Sequence, residues 1–168
     1  MNFFDEARIY AKAGNGGNGS CSFRREAHVP FGGPDGGNGG RGGHIIFRCD
    51  LGINTLIDYK FKQHYKARPG EQGKGKNRNG ANGEDLILRV PIGTQIFDEN
   101  QNLLFDFEAK EQEFRILKGG EGGRGNASFK SSINQAPKIA NPGEATKEHI
   151  IYLKLKIFSD VGLVGFPN

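Results

Sequence analysis

The sequence predicts a mainly β domain, a short-stranded β-barrel base carrying a bundle of glycine-rich polyproline II helices. Three observations predict it. Apolar residues alternate with period two in several short runs, most clearly from Glu148 to Ile157, where Ile151, Leu153, Leu155 and Ile157 form one face and Tyr152, Lys154 and Lys156 the other. No apolar period of 3.6 persists for three turns, which leaves no place for a long amphipathic helix. Glycine fills eight of twelve positions in the stretch 32–43, GGPDGGNGGRGG. Gly33, Gly36, Gly39 and Gly42 recur every third residue, and Gly37, Gly40 and Gly43 follow one step along. That spacing is the three-residue turn of a polyproline II helix, and it leaves two edges of bare backbone along which a neighbouring chain can approach.

Such a segment needs neighbours. Ordering a glycine costs roughly 0.5–1 kcal/mol more than ordering an alanine, so eight carry a penalty of about 4–8 kcal/mol that a lone segment cannot offset. Companion runs stand at 14–19 (GNGGNG), 70–83 (GEQGKGKNRNGANG) and 119–125 (GGEGGRG), where Gly119, Gly122 and Gly125 keep the spacing of three. Each run is short and bounded by strand-like sequence. Read as linkers they would require several long structureless connections inside one domain.

Taken in order, residues 2–13 form a first strand with Ala7, Ile9 and Ala11 on one face, and Cys21 to Arg25 is a short strand candidate. His44 to Cys49 is β-rich and ends at the turn Asp50-Leu51-Gly52. Asn54 to Phe61 fits a short helix or a strand equally well. Asp85 to Ile92 and Thr94 to Phe97 read as strands, Asp98 to Asn102 as a polar hairpin loop, and Leu103 to Phe107 as its return. Phe114 to Lys118 leads into the fourth glycine run.

Composition bounds the class. Leu, Ile, Val and Phe number 41 of 168, just above the level of about 20% below which chains tend to stay disordered. Glycine and proline number 34, short of the roughly 25–30% typical of low-complexity sequence. Cys21 and Cys49 are far apart and lack metal-ligand spacing, so they read as free thiols in a reducing compartment. With no leader-like amino terminus and no long apolar run, the expectation is a cytoplasmic chain without a membrane span.

Charge is more informative than its sum of +4. Between Lys60 and Arg78 seven bases face one acid, Glu71, whereas Asp98 to Glu113 holds six acids and one base. Such polarity orients a molecule toward an anionic partner. The bases coincide with glycine-rich tips at Arg24, Arg25, Lys74, Lys76, Arg78, Lys130 and Lys138, with Phe23, Phe31 and Tyr65 near them in sequence for base stacking, a composition that suits RNA. Catalytic patterns are missing: the four histidines stand apart, and Ser131 and Ser132 lack a nucleophile context.

The segments FRREAHVPFGGPDGGNGGRGG (23–43), GEDLILRVPIGT (83–94), KGGEGGRGNASFKSSINQAPKIANPGE (118–144) and LKLKIFSDVGLVGFPN (153–168) resemble the amino-terminal domain of the Obg family of ribosome-associated GTPases. The resemblance implies a glycine-rich domain at 1–158 with six polyproline II helices. It further implies a linker and first strand of a P-loop GTPase domain at 159–168, with Gly165, Phe166, Pro167 and Asn168 as the opening of the phosphate loop. No catalytic or metal site and no cofactor is expected within this chain. GTP or GDP with Mg2+ would belong to the parent protein, which would act as a monomer on the large ribosomal subunit and its rRNA during assembly. The chain departs from the family pattern at Phe31 and Ile139, where basic residues are common. A scaffold or protein-interaction module without RNA contact is the alternative, and an RGG-type disordered binder is a third reading, suggested by Arg41-Gly42-Gly43 and Arg124-Gly125.

Overall fold

Period-two alternation lays down the strands, and the glycine runs lie between them. The computed structural model describes residues 3–25 and 32–156; the strand-like run that begins at Asp160 and the Gly165–Asn168 segment fall outside them. In chain order the elements are β1 (Phe3–Lys12), β2 (Ile45–Cys49), α1 (Ile57–Phe61), β3 (His64–Lys66), β4 (Leu86–Val90), β5 (Thr94–Phe97), β6 (Leu103–Asp106), β7 (Glu113–Leu117), a 3-10 turn (Asn126–Phe129) and β8 (Glu148–Lys156).

The base is two mixed sheets and not the closed barrel expected. One has the order β3-β1-β8-β5-β6 and the other β4-β2-β7. β1 and β8 pair antiparallel from Phe3↔Lys156 to Lys12↔Glu148, while β1/β3 and β2/β4 are parallel. The ladder breaks at the corner between β4 and β5. Pro91 has no N–H to donate, and Gly93 sits at φ 90, so the chain turns away and β5 joins the other sheet. Where β6 and β7 approach, the sheets meet through stacked rings instead, with Phe105 and Phe114 centroids 4.8 Å apart.

The faces match the alternation. Ile9, Ile45, Phe47, Leu56, Val90, Ile96, Phe107 and Leu153 are fully buried in one core. The segment 54–61 resolves as the helix α1 because Asp5 gathers its start. One Asp5 carboxylate oxygen accepts from Leu56 N–H at 3.0 Å and Thr55 Oγ1 at 3.1 Å, and Lys60 pairs with the other. Tyr59 turns inward, and its hydroxyl donates to the Arg89 carbonyl.

The glycine runs pack as six segments, at about 14–20, 34–44, 68–75, 78–85, 119–126 and 141–146. Their cohesion is clearest in the N–H groups of residues 36–44, all of which have acceptors. Gly39 and Gly42 donate to the carbonyls of Gly123 and Gly120, and Gly36 to Asn126 Oδ1. Gly37, Gly40 and Gly43 donate to the carbonyls of Lys74, Glu71 and Arg68. Asn38, Arg41 and His44 donate to the side-chain oxygens of Asn79, Asn82 and Asp85. Three rows at a repeat of three point to three different neighbours. At about 1 kcal/mol net per bond, nine bonds are of the same order as the glycine ordering penalty.

Bare edges are required by distance, not by dihedral angle. Among the described glycines only Gly93 has a left-handed φ, so the others do not serve backbone strain. A Cβ placed on Gly36, Gly39 or Gly42 would lie 1.9 Å from the carbonyl oxygen of Ser20, Gly17 or Gly14. One on Gly119, Gly122 or Gly125 would lie 1.8–2.1 Å from that of Gly42, Gly39 or Gly36. Gly33 differs. A Cβ there would meet only Lys130 Nζ, at 3.6 Å, because Gly33 belongs to a loop hairpin in which its carbonyl accepts from Arg24 N–H. The period of three becomes a packing requirement only from Gly36 onward.

Candidate nucleic-acid interface

Connectivity places three loops at one end of the bundle. Each segment is continuous with a strand at its other end: 14–20 with β1, 34–44 with β2, 68–75 with β3, 78–85 with β4, 119–126 with β7 and 141–146 with β8. The ends remote from the sheets are therefore joined in pairs, by loops at 20–35, 74–78 and 126–141. The seven predicted bases divide among these loops as Arg24 and Arg25, Lys74, Lys76 and Arg78, and Lys130 and Lys138, and all seven are exposed.

Two side chains that the sequence reading passed over tie the loops together. Asn126 is fully buried, and its Nδ2 donates to the carbonyls of Ser22 at 2.9 Å and Pro137 at 3.1 Å while its Oδ1 accepts from Gly36 N–H at 2.9 Å. It thereby joins the first and third loops. Asp35 is also buried, and its Oδ2 accepts from Lys76 N–H at 3.0 Å while its backbone carbonyl accepts from Asn77 N–H at 2.7 Å. It joins the first loop to the second. Neither link is local, since Asp35 reaches across 41 residues and Asn126 across as many as 104. No short-range signal marks them, although a polar residue buried in a glycine-rich end requires partners of this kind.

The basic segment 60–78 divides in space. Lys60 pairs with Asp5, Lys62 lies over the Tyr65 ring, and Arg68 faces Glu84, all at or near the sheets. Lys74, Lys76 and Arg78 stand on the hairpin loop, where Arg78 Nε also donates to the Gly75 carbonyl at 3.0 Å. Of the rings named for stacking, Tyr65 lies in β3 beside Tyr59, away from the loops, and Phe31 is outside the described residues. Phe23 is bridged to Pro34 in the first loop, and Phe129 in the third lies under the Arg124 guanidinium at 5.2 Å. The acids of 98–113 belong to β5, β6, β7 and their connections. Part of the basic segment thus stands at the loop end, and part, like the acids of 98–113, at the sheets.

At the junction of bundle and sheet, His44 Nδ1 accepts from Gly119 N–H at 2.7 Å. Burial, with the nearby Arg41 charge, holds its pKa below the usual histidine value. The Asp85 carboxyl is held low chiefly by the His44 N–H that it accepts.

A family model described as GTP1/OBG matches residues 4–157. The chain belongs to the GTP1/OBG family. It is 56% identical over 169 residues to the protein named GTPase Obg of Pelagibacter ubique (strain HTCC1062), with all of this chain aligned. The alignment spans 52% of that relative, so the chain covers about half its length. Within the described part of this GTP1/OBG domain no group of three or more His, Cys, Asp or Glu is placed to hold a metal ion, and no helix is long and apolar enough to cross a membrane.

Proposed function

We propose that this GTP1/OBG domain is the large-subunit-binding module of a GTP-regulated ribosome assembly factor, presenting its three basic loops to rRNA. The observation that carries the reading is the joining of those loops through Asp35 and Asn126 at the end of the bundle remote from the sheets. Loops tied in this way offer lysine and arginine side chains to phosphates without first having to be ordered, which lowers the entropic cost of binding. We read the six segments as polyproline II helices, a reading supported by the three-row hydrogen bonding of residues 36–44. At about 3.1 Å per residue, the seven steps from Gly36 to Gly43 would hold the loops roughly 22 Å from the sheets.

GTP hydrolysis belongs, in this reading, to a domain beginning near residue 159 of a complete protein that acts in the cytoplasm as a monomer. Gly165 to Asn168 would open its phosphate loop. No chemical step is assigned to the described residues. Co-sedimentation of the complete protein with purified large subunits at moderate salt tests the proposal, with GTP-bound, GDP-bound and nucleotide-free protein run in parallel. Co-sedimentation in at least one state is expected. Its failure in every state would overturn the reading, and binding indifferent to both salt and ribonuclease would favour a protein-interaction scaffold.

A further inference from the structure

We propose that Asp35 is a positioning residue for phosphate contact: it locks the Lys74–Arg78 hairpin onto the first loop in the one backbone conformation that displays Lys76 and Arg78 outward. This rests on the rRNA-binding reading above.

The hairpin has an unusual backbone. Lys76 and Asn77 both lie in the left-handed region, at φ 62 and φ 56, between the bridged residues Lys74 and Arg78. Asparagine tolerates that region, but lysine has no local side-chain bond to favour it. A non-glycine residue persists there only where its surroundings hold it. Here the surroundings are Asp35, whose carboxylate takes the Lys76 N–H and whose carbonyl takes the Asn77 N–H. Asp35 is itself fixed, since its own N–H donates to the Ser22 carbonyl at 2.9 Å. Gly75 lets the two loops close on each other. A Cβ at that position would stand 2.9 Å from Ser22 Oγ.

The carboxylate is too enclosed to meet a phosphate, because Asp35 is only 8% exposed, and its second oxygen, Oδ1, is buried without a hydrogen-bond partner. Its influence on binding is therefore indirect, through the conformation of a loop whose own side chains are exposed. Without the carboxylate the Lys76 N–H would lose its acceptor, and the lysine would relax out of the left-handed region.

The test is a mutant cycle in the complete protein, with affinity for purified large subunits measured across a salt series. One phosphate contact changes log K by about 0.7–0.9 per unit log salt, roughly 5–8-fold in affinity at 0.1 M. Asp35→Ala should weaken binding about 30-fold and flatten the salt slope by nearly two units, while amide exchange of residues 36–44 stays slow. The same substitution made in a K74A/K76A/R78A background should change affinity less than about twofold, since there is no longer a side chain to position. Asp35→Asn keeps an acceptor for Lys76 N–H and should bind within about threefold of the unmodified protein. Equal weakening in both backgrounds would make Asp35 merely structural and overturn the proposal. So would unchanged binding of Asp35→Ala while the triple variant is weakened. If the triple variant itself binds normally, the rRNA reading of this hairpin has failed, and the positioning role falls with it.

Discussion

The sheets and the glycine bundle are built from one continuous chain yet held together by different forces. In the sheets, stability comes from area: Phe47, Ile9, Ile45 and Leu153 are removed from water and need only fill volume. In the bundle almost nothing is apolar, and stability comes from matching each N–H to an acceptor at a distance that a single Cβ would prevent. The comparison separates two kinds of tolerance. A core accepts volume-conserving exchanges at less than about 1.5 kcal/mol, whereas a bundle edge accepts no side chain at all. It also separates two roles, because a stack of paired backbones is stiff where an apolar cluster of equal size can repack.

The strongest way to break that contrast is Gly39→Val. Its Cβ would stand 1.9 Å from the Gly17 carbonyl oxygen, and both partners are backbone, so neither can swing aside. We expect misfolding or a loss of more than about 4 kcal/mol, and Gly36→Val should behave alike. Unchanged melting temperatures in both variants would show that those edges face solvent. Phe47→Ala strikes the sheets instead, and should lower stability by about 3–5 kcal/mol in denaturant titration, the ordinary cost of emptying a buried aromatic site.

A pH series sharpens the boundary between the two regions. His44 accepts the Gly119 N–H only when neutral, and its folded pKa lies below the unfolded value of 6.5. The unfolded chain therefore binds the proton more readily. The stabilisation is complete above about pH 6.5 and is lost as pH falls from there toward the depressed folded value. Unfolding free energies at pH 7.5 and 5.5 should differ in the unmodified chain, and the difference should shrink in His44→Gln. The smallest effect belongs to Gly33→Ala. A Cβ there meets only a lysine tip at 3.6 Å, and a change within about 0.5 kcal/mol is expected. A large loss would extend the close-packed edge one turn beyond Gly36.

Much of this contrast was legible in the sequence. Alternation gave β1 and β8 their buried faces, and the spacing of three gave the bare edges. The glycines also pointed to their own partners, yet the other half of the pattern passed unread: Asn79, Asn82 and Asp85 keep the same spacing and accept from Asn38, Arg41 and His44. That signal was available. The parallel pairing of β3 was not, because three residues carry too little periodicity to announce a partner more than fifty positions away. The barrel failed for a similar reason, since ladder closure depends on where Pro91 and Gly93 turn the chain in space. Of the candidate site, the bases and the loops that bear them were readable, while the buried Asp35 and Asn126 were not, because each acts only on loops that the fold brings to it.

The most direct test of the account compares the salt dependence of large-subunit binding for the unmodified complete protein and its K74A/K76A/R78A variant. If the hairpin meets rRNA phosphates, the variant should bind more weakly, and its slope of log K against log salt should flatten by roughly 2–3 units, with the melting temperature nearly unchanged because all three side chains are exposed. Equal affinity and equal slope in the two proteins would contradict the claim that the bundle exists to hold basic loops against RNA.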